Sequence, residues 1–163
     1  MTAKPITIWR IATETPVYKA NDSTGTGAKK TGGRWNHKGT PLVYCSPSIA
    51  LACLETVVHA NLGAGLPLNR YIVSITIPKN IWSAATIITS ATAPGAWDAL
   101  AAGRASMDYG TNWANSNSSA LLFVPSVIIP MEFNVLINPL HKDAGLISFS
   151  TGQKFLYDPR FVI

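Results

Sequence analysis

Apolar residues in this chain fall into short blocks separated by stretches rich in Gly, Pro, Ser, Thr and Asn. The first block, PITIWRIA at 5–12, is rich in β-branched residues and predicts a strand. NDSTGTGAKKTGGRWNHKGT, 21–40, breaks the pattern and predicts a long loop. Loops of that length are uncommon inside compact domains and tend to carry function. LVYCS, 42–46, predicts a buried strand. A helix follows from 47 to about 62, entered through Ser46 or Ser48, with Pro47 tolerated in its first turn. YIVSITIP, 71–78, alternates as a strand does. PGAWDALAAG, 94–103, predicts a short helix, whereas MDYGTNWANSN, 107–117, is ambiguous between helix and loop. SALLFVPSVIIP and FNVLIN are strand-like, with prolines that break the ladder. GLISFSTGQKFLYDPRF closes the chain, with a hairpin-like pair expected around Thr151-Gly152. No repeat, low-complexity tract or linker divides the chain, so the blocks predict one α+β domain over 1–163.

The helix at 47–62 holds one residue that packing does not explain. At about 100° per residue, Leu51, Leu54, Val58 and Leu62 form an apolar stripe, and Glu55 falls inside it. His59 lies one turn further on, at the edge. A carboxylate on a buried face is costly unless it is paired or hydrogen-bonded. Two readings stand: a structural ion pair with Arg10 or Arg34, or a functional acid.

Composition narrows the class. A chain of 163 residues can bury a proper core. Only 13% of its residues are charged, against roughly a quarter in ordinary soluble domains, which points to a surface covered in part by a partner. No apolar run reaches the ~18 residues of a membrane span, and MTAKPITIWR lacks the apolar core of a secretory signal. Cys45 and Cys53 form no motif and are expected to be reduced packing residues in a cytoplasmic protein.

The net charge is +5 and the isoelectric point is near 9.4, which favours anionic partners. Lys29, Lys30, Arg34 and Lys38 flank the glycines at 32 and 33, while the other cations are scattered. That distribution favours a local anion site over a nucleic-acid surface. Within TGGRWNHKGTPLVYCS the glycines let the backbone approach a ligand closely, and Arg34 offers the planar fork that holds phosphate. His37, His59 and His141 show no metal-ligand spacing, and no metal is expected. No nucleophile elbow appears, and GTGAKKTGG lacks the phosphate-loop spacing.

GGRWNHKGTPLVYCSPSIALACLE resembles the signature of the RES domain, named for Arg, Glu and Ser. LLFVPSVIIPMEFNVLINPLH is similar to the family's second block, and IWRIA and YDPRF fit its two ends. The eponymous residues are then Arg34, Glu55 and Ser126, with Tyr44 as the aromatic of the Y-x-S strand. Phe123 stands before V-P-S where many members have a basic residue.

The resemblance implies a bacterial toxin of a type II toxin–antitoxin pair. Its fold would be ADP-ribosyltransferase-like, a mixed, mainly antiparallel β core with flanking helices. It implies an NAD+ phosphorylase, releasing nicotinamide and ADP-ribose-1″-phosphate, with NAD as substrate, inorganic phosphate as co-substrate and no cofactor. The partner would be an Xre-like helix-turn-helix antitoxin through which DNA is reached. On this reading Glu55 stabilises an oxocarbenium-like transition state and Arg34 binds phosphate. Tyr44 stacks on nicotinamide or bonds the ribose, and Ser126 bonds substrate or Glu55. Arg10, Trp35 and Asn36 are further substrate-binding candidates. Transfer of ADP-ribose to a protein is the near alternative. A basic nucleic-acid-binding module without enzymatic activity is the alternative of a different class.

Overall fold

The computed structural model describes residues 4–60 and 65–161. Strand β1 (Ile6–Thr13) pairs antiparallel with β3 (Arg70–Ile77) along its whole length, from Ile6 opposite Ile77 to Thr13 opposite Arg70. Opposed residues share a face of a sheet. One face therefore gathers Ile8, Val73, Ile75 and Ile77, all buried, and the other gathers Trp9, Ile11 and Ile72. The far edge of β3 is taken by β7 (Ser148–Phe149) and β8 (Gln153–Phe155).

The second sheet has the order β2 (Val43–Cys45), β6 (Phe133–Ile137), β5 (Leu121–Pro125), β4 (Thr86–Ile87). All its pairs are antiparallel except β4 with β5. The α+β class with mixed, mainly antiparallel sheets and flanking helices is what the sequence led us to expect. Strand β5 is buried at every position because it is covered on both sides. Leu121 and Phe123 meet the first sheet, while Leu122 and Val124 meet Trp35, Trp97 and Trp113. The layers thus run helix α2 (Ile49–Val58), first sheet, second sheet, helix α4 (Arg104–Ser116). A single bridge, Trp9 with Ser46, joins β1 to the end of β2 through two backbone hydrogen bonds of 2.8 Å.

Several expectations change. Helix α2 is shorter than 47–62 and starts at Ser48, whose Oγ accepts from the Leu51 amide at 3.1 Å. Its buried positions are Leu51, Ala52 and Val57, not the stripe through Val58, which is 56% exposed. Leu62 lies outside the described residues. The helix is rotated on β1 relative to that expectation, so Glu55 sits half-buried at the edge of the packed face.

The loop at 21–40 contains a short helix, α1 (Thr26–Thr31), and a bridge between Gly33 and Asn36. Residues 94–103 form turns rather than a helix, with Ala96 in the left-handed region at φ 56°. The ambiguous stretch at 107–117 belongs to α4, and Gly110 explains the packing there. A Cβ on Gly110 would lie 1.9 Å from the Trp35 carbonyl oxygen, so only glycine lets the helix lie on that backbone. The closing segment is not a hairpin. The sum of paired residue numbers changes from 224 (Ser148 with Thr76) to 225 (Gln153 with Ile72), so one strand runs along β3 with a bulge near Gly152. Helix α3 (Lys79–Ser83) and strand β4 had no clear signature in the sequence.

Candidate active site

A cleft of about 1040 Å³ opens where β1, α2, the α1 loop and the ends of β2, β5 and β6 converge. That is the upper end of the volume of small-molecule sites. Glu55 lines it and is the only carboxylate side chain among the described residues that does.

Glu55 is held by one oxygen. Its Oε1 accepts from Ser126 Oγ at 2.8 Å and from Asn134 Nδ2 at 2.5 Å. Its Oε2 accepts from no group among the described residues. The holders are themselves fixed. Ser126 is fully buried just beyond β5, and its Oγ also accepts from the amides of Ile128 and Ile129 at 3.2 and 3.0 Å. Asn134 lies on β6, and its Oδ1 accepts from Ser46 Oγ at 2.6 Å. An amide with its oxygen committed to a hydroxyl must turn its NH2 the other way, which is toward Glu55. No Lys, Arg or His side chain lies within 4.0 Å of Glu55 among the described residues, so the ion pair with Arg10 or Arg34 does not form.

The cleft arginines are anchored in a common way. Arg34 Nη1 donates to the carbonyls of Trp97 and Ala99 at 2.7 and 2.9 Å. Arg10 Nη1 donates to the Asp22 carbonyl at 2.9 Å. In both, the Nε–Nη2 edge, which makes two parallel hydrogen bonds to an anion, has no acceptor among the described residues. The 97–99 turn that carries Arg34 is braced by Trp97 stacking on Trp35, 6.4 Å between centroids and 22° between planes.

Tyr44 lines the cleft with its ring, but its hydroxyl is already engaged. It accepts from the Trp35 amide at 3.0 Å and donates to Asn36 Oδ1 at 2.7 Å. Burial pushes its phenol well above the usual range, opposed by the Trp35 amide and by the charge of Arg34. A Cβ on Gly33 would lie 2.7 Å from that hydroxyl, so the second glycine makes room for Tyr44. Cys45, behind it, is buried and its thiol is pushed up to about 12 by desolvation, with Arg10 opposing.

Of the residues singled out in the sequence, Arg10, Arg34, Trp35, Tyr44 and Glu55 line the cleft. Ser126 and Asn36 do not. Ser126 stands behind Glu55 as its support. Asn36 is fully buried and latches the α1 loop, donating to the carbonyls of Ala28, His37 and Thr40. Sequence reasoning missed Asn134, which lines the cleft and touches Glu55. The signal was present in FNVLIN, where an Asn, depleted in strands, sits next to a buried apolar run.

A family model described as the RES domain matches residues 7–158. A protein named "Prs ADP-ribosylating toxin" from Sphingobium sp. (strain YBL2) is 54% identical over 154 residues, 94% of this chain and 95% of that one. Two proteins named "Toxin Res" are also similar. That of Yersinia enterocolitica is 38% identical over 88% of this chain and 92% of its own, and that of Photorhabdus laumondii is 40% identical over 77% and 78%. Arg34, Glu55 and Ser126, the Arg, Glu and Ser that the sequence singled out, thus fall within the matched region, and the chain belongs to the RES domain family.

Proposed function

We propose that this protein is a toxin that consumes NAD, breaking the bond between nicotinamide and ribose and passing ADP-ribose to an acceptor. The observation that carries the reading is the state of Glu55: a carboxylate fixed through Oε1, with Oε2 left for the cleft and no cation beside it. As the C–N bond breaks, its electron pair goes to the nicotinamide ring and neutralises it. Positive charge then develops on the ribose carbon until the acceptor oxygen or nitrogen forms the new bond. A preorganised negative oxygen facing that charge stabilises it without reorganising. The open edges of Arg10 and Arg34 bind the diphosphate, and the Tyr44 ring gives nicotinamide a flat wall.

For the acceptor, the name of the Sphingobium relative supports a protein, Prs. Phosphorolysis remains as a second reading, favoured by a third arginine in the cleft, Arg70, beyond the two assigned to the diphosphate. A helix-turn-helix antitoxin is the proposed partner, in keeping with relatives named as toxins and a chain only 13% charged. No helix among the described residues is long and apolar enough to cross a membrane.

The test is to incubate purified protein with NAD alone, with phosphate, and with Prs from the same host, and to weigh the products. Glu55→Gln keeps shape and both donors while removing charge. It is expected to lower the rate about 10²–10³-fold, the usual loss for one electrostatic stabiliser, with little change in melting. A Glu55→Gln protein that melts lower but retains its activity per folded molecule refutes the reading.

A further inference from the structure

Five arginines occur in the sequence, and their pairing divides them. Arg104 lies 3.7 Å from Asp108 and Arg160 lies 2.8 Å from Asp158, both outside the cleft. Arg10, Arg34 and Arg70 all line the cleft, and none has an Asp or Glu within 4.0 Å among the described residues, which include all eight carboxylate side chains.

Arg70 has the same anchoring as the other two. Its Nη1 donates to Thr13 Oγ1 and to Asn69 Oδ1, leaving the Nε–Nη2 edge without an acceptor among the described residues. Thr13 also lines the cleft, and its hydroxyl, an acceptor toward Arg70, retains a proton to donate. Arg70 pairs with Thr13, three residues beyond Arg10 on β1. That places Arg70 about 10 Å along the strand from Arg10, and the odd offset puts Thr13 and Arg70 on the opposite face of the β1–β3 pair from Arg10.

We propose that Arg70 and Thr13 form a second anion subsite of the cleft, which takes a phosphate group distinct from the one held at Arg10 and Arg34. The proposal rests on the NAD reading for the occupant of the first subsite, but not for the existence of the second. The phosphate comes either from the dinucleotide itself, as on a phosphorylated ribose, or from the acceptor, as inorganic phosphate.

The experiment titrates the protein with inorganic phosphate by calorimetry, for the unaltered protein and for Arg70→Gln, Arg70→Lys and Thr13→Val, with thermal melts alongside. The unaltered protein is expected to bind two equivalents. Arg70→Gln should lose one, with its affinity falling at least tenfold, and Arg70→Lys should weaken that site while keeping it. Thr13→Val should weaken the same equivalent. A single equivalent in the unaltered protein, or two of unchanged affinity in Arg70→Gln, overturns the proposal. If Arg70→Gln does not fold, Arg70→Lys and Thr13→Val decide, and unchanged binding in both overturns it.

Kinetics then separate the sources. A KM raised for NADP but not for NAD or phosphate assigns the subsite to the dinucleotide, and a KM raised for phosphate assigns it to the acceptor. Two phosphates bound by a protein that leaves NAD intact would sink the NAD reading and preserve the subsite.

Discussion

Replacing Asn134 with Leu tests whether the carboxylate is held as described, because Leu has nearly the same shape and no polar atom. Two interactions are lost. The first is the bond from Nδ2 to Glu55 Oε1, 2.5 Å long and charged at one end. Such bonds contribute about 1.5–3 kcal/mol, and the lower figure applies here because Glu55 can turn to water in the cleft. The second is the bond that Ser46 Oγ donates to Asn134. Ser46 is 4% exposed, so its hydroxyl is stranded, at about 1–3 kcal/mol. Together Asn134→Leu should destabilise by about 3–4 kcal/mol, and for a chain of this size the melting point should fall by about 10 °C. Ser46→Ala removes the stranded hydroxyl in advance, so the double variant should be more stable than the sum of the two single ones by about 1–2 kcal/mol. Urea titrations of the four proteins measure this. NAD turnover per folded molecule should fall about 10–100-fold in Asn134→Leu, as a displaced catalytic group does. Additive costs, or a loss below about 1 kcal/mol in Asn134→Leu, would refute the proposed linkage through Ser46.

Gly110→Ala should destabilise severely despite the better helix propensity of Ala, because α4 must move off the Trp35 backbone. About 1–3 kcal/mol is the usual cost of overpacking, and a melt as high as that of the unaltered protein would contradict the contact. Arg34→Lys keeps the charge but loses the two-pronged edge. KM for NAD should rise about tenfold or more while the melting point moves little, and an unchanged KM removes Arg34 from the binding site. Stability should decline in alkali. Tyr44 and Cys45 both hold their protons to higher pH folded than unfolded, so their contribution is complete below about pH 8.5 and is lost as the pH climbs toward the folded values. The slope is at most about 1.4 kcal/mol per pH unit for each group. Tyr44→Phe should flatten the decline above about pH 10, and urea melts at several alkaline pH values will show whether it does.

Legibility in the sequence followed how local the cause was. Strand β5 is a continuous apolar run, and β1 and β3 are rich in β-branched residues with an alternating pattern, so these strands are legible without knowledge of the rest of the chain. Glu55 was conspicuous for the opposite reason, as a charge where packing wants Leu. The rotation of α2 was not legible, because it depends on how Ala52 and Val57 fit against β1. The two phases of the helix differ by one residue in a run where nearly every side chain is apolar. The bulge at Gly152 looked like a turn because glycine serves both, and only the partner strand decides between them. The sequence offers Asn36 as a substrate contact and Ser126 as a partner of substrate or of Glu55, and the structure has Ser126 on Glu55. Their role is one step back, where a buried serine and a buried asparagine hold something else in place. Asn134 escaped notice because its partners, Ser46 and Glu55, are far away in the chain.

The Trp9–Ser46 bridge ties catalytic competence to the order of assembly. Ser46 belongs to one sheet by sequence, touches the other through its backbone, and orients Asn134 through its side chain. A chain with both sheets formed but not yet docked already sets Ser46 opposite Asn134 in the second sheet, but α2 packs on β1 of the first, so Glu55 is not yet brought to its holders. Under the proposed toxin reading, that amounts to a safety catch: harm begins only at the last step of folding. A helper that binds the nascent chain could therefore disarm it by delaying one contact between two strands. Activity recovered during refolding should then appear only as the slowest tertiary signal does, and NAD cleavage that precedes it would break the link.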